Sequence, residues 1–164
     1  MKTKITIALL CCTAFLFGQK KRDLGIYKAL NLGVGYNYVG AQDGEKAYHF
    51  LDLGVNRSVY GGMHGGGFQY GTGTEVGLNT HKLVVGPKVS GIVYFQFLAF
   101  GAEVISYTDF DKYSLRFVPV FGIGGDKFRL TFNPQLTLMH KDLLPIPGFV
   151  NLAVNLTLDR KERK

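Results

Sequence analysis

The sequence predicts an all-β fold: an eight-stranded antiparallel up-and-down transmembrane β-barrel after an N-terminal signal peptide. Three observations predict it. Large apolar side chains alternate with small or polar ones, at a period of two, through eight segments of 9–13 residues. The polar face of those segments carries Gly, Asn, Gln, Ser and Thr rather than the Lys and Glu of a face bathed in water. Charged residues are only 19% of the chain, where a soluble domain carries about 25%.

The chain opens Met1-Lys2-Thr3-Lys4, followed by an apolar run over 5–17. Two lysines ahead of a short apolar stretch form the charged and hydrophobic regions of a secretory signal, with cleavage expected near Gly18 or Gln19. The run is shorter than the ~20 residues a membrane-spanning helix needs. Residues 1–18 are therefore expected to be the signal peptide, and 19–164 the barrel with a short basic C-terminal tail. Both cysteines, Cys11 and Cys12, fall within the signal, so the mature chain has no thiol for a disulfide or a metal.

The first segment, 29–39, sets Leu30, Leu32, Val34, Tyr36 and Tyr38 against Asn31, Gly33, Gly35 and Asn37. The second, 48–56, sets Leu51, Leu53 and Val55 against Asp52, Gly54 and Asn56. The third, 67–79, is the longest unbroken alternation, with Phe68, Tyr70 and Val76 opposing Gln69, Gly73 and Glu75. In the fourth, 82–90, Leu83, Val85 and Val89 oppose Val84, Gly86, Lys88 and Ser90, and Pro87 predicts a local irregularity because it has no N–H for the ladder. The fifth, 97–107, is placed with Leu98, Phe100, Ala102 and Val104 outward because the opposite register would put Glu103 in lipid. That choice leaves Ile105 and Tyr107 inward.

In the sixth, 113–121, Leu115 and Phe117 oppose Ser114, Arg116, Val118 and Val120. The seventh, 127–139, opposes Phe128, Leu130, Phe132, Leu136 and Leu138 to Arg129, Thr131, Asn133, Gln135 and Thr137. The eighth, 150–158, opposes Val150, Leu152, Val154, Leu156 and Leu158 to Asn151, Ala153, Asn155 and Thr157. Turns are expected at 40–47, 57–66, 80–81, 91–96, 108–112, 122–126 and 140–149. The lengths suit tilted strands crossing a bilayer in about 9–11 residues. The aromatics Tyr27, Tyr38, Tyr48, Tyr94, Tyr107, Tyr113, Phe121, Phe128 and Phe149 fall near segment ends, where they are expected to form girdles at the two membrane interfaces. Leu32, Leu53, Val76, Leu115, Leu136 and Val154 are expected to meet lipid.

In strand count, strand length and alternation the mature chain resembles the small outer-membrane barrels, the membrane domain of outer membrane protein A and outer membrane protein X. The resemblance rests on no diagnostic motif, and the last strand ends on Leu158 and a charged tail rather than on an aromatic residue. It implies an integral outer-membrane protein of a Gram-negative cell envelope. Its surroundings would be outer-membrane lipid and lipopolysaccharide, with the barrel-assembly machinery engaged during insertion. A structural, surface-loop or assembly-partner role follows, beside a larger outer-membrane complex in the last case. The alternatives are a lipid A-modifying outer-membrane enzyme and a narrow channel.

The chemistry-bearing residues point away from catalysis, and neither a cofactor nor a metal is expected. His49, His64, His81 and His140 lie in or beside expected turns, and none has a serine two residues away on its own strand face. The glycine-rich run 61–67 lacks the Lys and Ser/Thr of a phosphate-binding loop and no helix follows it. Asn56-Arg57-Ser58 fits a glycosylation sequon, which carries little weight in a bacterial export context. Without Lys2 and Lys4 the net charge of +7 becomes +5, much of that excess lies in the segment 159–164, and the rest of the chain shows no basic face with interleaved aromatics, so no nucleic-acid surface is expected. The candidate site is the lumen: Asp52, Glu75 and Glu103 share the polar face with Lys88, Arg116, Lys127 and Arg129. Eight strands leave just enough room for side chains, so a paired, plugged interior is expected. A hairpin closing around Asp109-Phe110 would set Glu103 directly across from Arg116 as an ion pair.

Overall fold

The alternation is realised as one closed sheet. The computed structural model describes residues 24–41, 46–62, 65–140, 143–144 and 146–162; the expected signal peptide and His64 lie outside them. Nine strand segments follow in order: β1 (Leu24–Val39), β2 (Tyr48–Gly62), β3 (Gly66–Gly77), β4 (Val85–Phe95), β5 (Leu98–Thr108), β6 (Tyr113–Gly124), β7 (Phe128–Pro134), β8 (Leu136–Met139) and β9 (Gly148–Glu162). β7 and β8 are one stave interrupted at Gln135. Each stave pairs antiparallel with its sequence neighbours, and β9 returns to β1, so eight staves close an up-and-down barrel. Closure leaves no free edge over the paired region.

The registers define the shape. Stepping across the ladders from Lys28 leads through Val59, Phe68, Val93, Phe100, Phe121, Phe132 and Val150 to Tyr38, ten residues further along β1. With about 3.3 Å per residue and about 4.8 Å between strands, a shear of ten over eight staves sets the tilt near 40° and the backbone radius near 8 Å. Such a bore has room for side chains and little else.

The two faces separate as the period of two requires. Leu32, Leu53, Val76, Leu115, Leu136 and Val154 all lie on the outer face. Asn31, Asp52, Gln69, Glu75, Lys88 and Arg129 are buried within. Inner-face glycines make this packing possible. A Cβ on Gly86 would come within 2.7 Å of the Tyr107 ring, and one on Gly54 within 2.8 Å of the Thr72 carbonyl oxygen.

Several boundaries differ from the sequence expectation. Residues 91–95 were expected in a turn but continue β4, which reverses instead at Gln96 and Phe97, with Gln96 at φ 56°. Gly91 is a strand residue there: Tyr70 lies opposite it and the Phe68 ring touches its open face. β2 runs on through residues 57–62. The expected basic tail is partly strand, because residues 159–162 pair with residues 27–30 of β1 beyond a bulge. Pro87 breaks the ladder as expected: Gly86 and Pro87 have no register partner on β5.

The girdle expectation needs a larger correction. Tyr27, Tyr94, Tyr107 and Phe149 are buried in the lumen, not exposed at interfaces. Tyr107 and Phe149 belong to one interior cluster and Tyr94 to another, and the Tyr27 ring packs beside Tyr60, which borders the second. At the end carrying the longer loops, Phe50, Ile105, Tyr107, Val118 and Phe149 pack with Leu144 and Ile146, which fold inward from the loop before β9. At the other end, where β1 starts and β9 finishes, Ile92, Tyr94, Ala99 and Val120 pack with Tyr60. The inward placement of Ile105 and Tyr107 is thereby explained: both are 0% exposed beneath the inturned loop.

Candidate functional site

Five charged side chains from five staves meet between those apolar ends. The Lys88 ammonium on β4 lies 2.9 Å from Asp52 Oδ2 of β2, 3.0 Å from Glu75 Oε1 of β3 and 3.2 Å from Glu103 Oε2 of β5. Arg129 of β7 lies 3.8 Å from both Asp52 and Glu103. All five are at least nine-tenths buried. Two of the contacts follow from the ladders: Asp52 sits opposite Glu75, and Gly73 sits opposite Lys88. Two carboxylates held side by side need a cation between them, since directly opposed like charges repel. Lys88 supplies it with one donor for each acid.

Arg116, the sixth residue expected in this network, is buried but stands apart from the carboxylates. Its guanidinium donates to Gln135 Oε1 and to the carbonyl oxygens of Leu144 and Ile146, the latter at 3.0 Å, and lies 5.4 Å from the centroid of the Tyr107 ring. It pins the inturned loop. Tyr107 links the two groups, donating to Glu75 Oε2 at 2.5 Å and accepting from Gln135 Nε2 at 3.3 Å.

The expected Glu103–Arg116 ion pair is not formed. Glu103 faces Val118 and Arg116 faces Ile105, because the hairpin closes as a four-residue turn between Thr108 and Tyr113 and shifts the register by two. Asp109 holds that turn, with Oδ1 accepting the N–H groups of Lys112 at 2.8 Å and Asp111 at 3.1 Å. Those donors, the one from Lys112 foremost, together with nearby Lys82, keep its carboxyl below the ordinary aspartate range. Lys127 is also misplaced by the sequence reading: it is exposed at the rim, where Nζ donates to Thr157 Oγ1.

Below the charges an amide ladder fills the bore. Asn31 donates to Asn56 at 3.0 Å, Asn56 to Asn155 at 2.9 Å and Asn155 to Gln69 at 3.1 Å. Gln69 also accepts from Tyr94 at 3.0 Å. Buried amides paired in this way avoid the desolvation cost that a single unpaired one would carry. A cavity of about 30 Å³ borders Asp52, Asn56, Gln69, Lys88 and Arg129. That is room enough for a water molecule among polar partners.

The three described histidines do not gather. His49 lies on the outer face against Tyr36 and Tyr38 and hydrogen-bonds the Tyr36 hydroxyl, His140 packs on Tyr113, and His81 is exposed. Among the described residues no group of three or more His, Cys, Asp or Glu is placed to hold a metal ion. Sequence reasoning missed Tyr107 and Gln135 as members of the polar network and the loop carbonyls as the target of Arg116.

These features define the class: a closed eight-stranded antiparallel barrel, polar and filled within, apolar without. No protein-family model matches the chain, and neither curated proteins nor solved structures include a match.

Proposed function

We propose that the protein is an integral outer-membrane barrel of a Gram-negative envelope, exported by its N-terminal segment, with a structural, surface-loop or assembly-partner role and no catalytic one. The observation that carries this reading is the reversal of polarity. The interior holds three carboxylates, three cations and a ladder of amides, while Leu53, Phe100, Phe121, Phe132, Leu152 and Leu156 point outward with their side chains uncovered. Soluble monomers rarely expose contiguous apolar patches beyond a few hundred Å², and this belt runs around the whole ring. Lipid is the solvent that favours such a surface, and closed barrels satisfy every backbone group within it.

The blocked bore supports a structural role over conduction. Apolar clusters close both ends, and the charges between them are spent on each other. Surface loops, the barrel-assembly machinery, lipopolysaccharide and a larger complex are the partners this reading supplies.

Expression with the native N-terminal segment in a Gram-negative host tests it. The protein should remain in outer membranes after carbonate washing and run as a compact gel band that shifts on boiling. Recovery in the soluble periplasm, or one mobility before and after boiling, would refute the membrane assignment. Ion conductance in planar bilayers would overturn the plugged reading alone.

A further inference from the structure

Near the end where β1 starts and β9 finishes, three basic side chains point outward from three adjacent staves. Lys28 is on β1, Arg57 on β2 and Lys161 on β9, and all three are exposed. Lys28 and Lys161 are directly opposed in the ladder. Their Cβ atoms are therefore about 4.5–5.5 Å apart, a placement in which like charges repel. Arg57 is the diagonal neighbour of Lys28, since Lys28 faces Val59 and Leu30 faces Arg57. That sets it about 7–8 Å away, within reach of a long side chain.

Internal charge leaves this patch positive. Asp159, 3.9 Å from Lys161, offsets one cation. Lys28 and Arg57 have no ion-pair partner among the described residues. Five more basic residues flank these strands in sequence, Lys20, Lys21 and Arg22 before β1 and Arg163 and Lys164 after β9. The opposite rim is different: there Lys82 lies 2.6 Å from Asp111 and 4.0 Å from Asp109.

We propose that Lys28, Arg57 and Lys161 form a binding site for the phosphate headgroup of an anionic phospholipid. This rests on the membrane reading above. The oxygens of a phosphodiester relieve the Lys28–Lys161 repulsion, and the arginine fork adds directional donors. A lipid, not a soluble phosphate, is the occupant because the donors stand among apolar side chains of the outer face, with Ile26 and Val59 on their far side. Leu30 lies between Arg57 and Asp159 in its row, and the next outward positions are Leu32 and Val55. A phosphate held by the three cations has its acyl chains running along that face.

The test uses the full mature chain, folded in mild detergent, and native mass spectrometry with equimolar phosphatidylglycerol and phosphatidylcholine of matched chains. The anionic lipid should bind in severalfold excess. Each of Lys28→Gln, Arg57→Gln and Lys161→Gln should lower its occupancy about fivefold at subsaturating lipid, and the triple variant should abolish the preference. Lys28→Arg with Lys161→Arg should keep it. The compact unboiled gel band shows which variants are folded, and the single variants, at exposed positions, decide the matter should the triple variant fail to fold.

Equal binding of the two lipids by the parent, or a preference surviving in the triple variant, would overturn the site. Displacement by inorganic phosphate as effectively as by phosphatidylglycerol would overturn the lipid assignment in favour of a soluble anion. Flotation with purely phosphatidylcholine vesicles separates the two layers of the argument. Protein that does not float overturns both the membrane reading and the site; protein that floats but shows no headgroup preference overturns the site alone.

Discussion

Replacing Lys88 with Met keeps most of the length of the side chain and removes the charge that three carboxylates share. Asp52, Glu75 and Glu103 would then face one cation, Arg129, which lies 3.8 Å from two of them. The parent cluster already holds three carboxylates against two cations, so the variant carries one further negative charge. Stripping one partner from a buried ion pair costs about 3–5 kcal/mol. The cluster has an escape, which is to take up one more proton, at about 1.4 kcal/mol for each pH unit above the ordinary carboxylate range. At pH 7 that is about 4 kcal/mol, so the variant should lose about 3–5 kcal/mol. At pH 5 the same step costs about 1 kcal/mol, and the loss should shrink to about that size. The assay is the urea midpoint for conversion of the compact gel form to the extended one, at both pH values. Adding Glu75→Gln and Glu103→Gln to Lys88→Met should restore most of the stability at pH 7, because Asp52 then remains with Arg129. A parental midpoint for Lys88→Met at pH 7, or a deficit that does not change between pH 7 and pH 5, would refute the assignment of Lys88 as the hub.

The other expectations read out more simply. Leu53→Arg, on the outer face near mid-strand, should lower the stability of the inserted barrel by about 2–4 kcal/mol; unchanged insertion and midpoint would contradict lipid contact there. Gln96→Gly should raise stability by about 1 kcal/mol, because Gln96 holds φ 56° at the first of two loop residues, where glycine avoids a left-handed cost of about 1–2 kcal/mol; a lower urea midpoint would count against it. Asp109 titrates below the ordinary aspartate range. Its stabilisation of the turn is therefore complete above that range and is lost as pH falls through its own lowered value. Amide exchange at Asp111 and Lys112, corrected for intrinsic rates, should accelerate as pH drops below about 4, and Asp109→Ala should exchange fast throughout; flat protection across that range would exclude the carboxylate as the clasp.

Which side chains face inward was legible because a period of two carries that information residue by residue. Glu75 and Lys88 could be assigned to the lumen from their glycine and amide neighbours alone. Strand ends were less legible. A glycine signals a turn but also occurs within strands, so Gly91, which lies mid-ladder opposite Tyr70, was read as a reversal. Cross-strand partners were less legible again, since a register depends on how many residues the turn consumes. Two more residues in the β5–β6 turn moved Arg116 from Glu103 to Ile105. The actual partners of Arg116 are Ser114, Gln135 and two backbone carbonyls, and the carbonyls leave no trace in composition, because every residue carries one. Inward aromatics were misread for a related reason: Tyr94 and Tyr107 lie near strand ends, as interfacial rings do, and only three-dimensional closure shows that they seal the bore from within.

The same geometry bears on how the barrel reaches its folded state. The five clustered charges come from β2, β3, β4, β5 and β7, and Arg129 meets Asp52 and Glu103 only when β7 has been carried around the ring. The amide ladder is closed in the same way, because Asn56 of β2 donates to Asn155 of β9, ninety-nine residues later. A half-formed sheet therefore satisfies the Lys88 cluster in part and leaves Arg129, Asn155 and the inner ends of β1 and β9 without partners. Polar groups stranded in a dry bore cost about 1–3 kcal/mol each, and more when charged. Intermediates that have expelled water but not closed are accordingly penalised, and the last pairing, β9 on β1, releases the penalty at once. The polar lumen thus supplies a physical reason for closure to be cooperative.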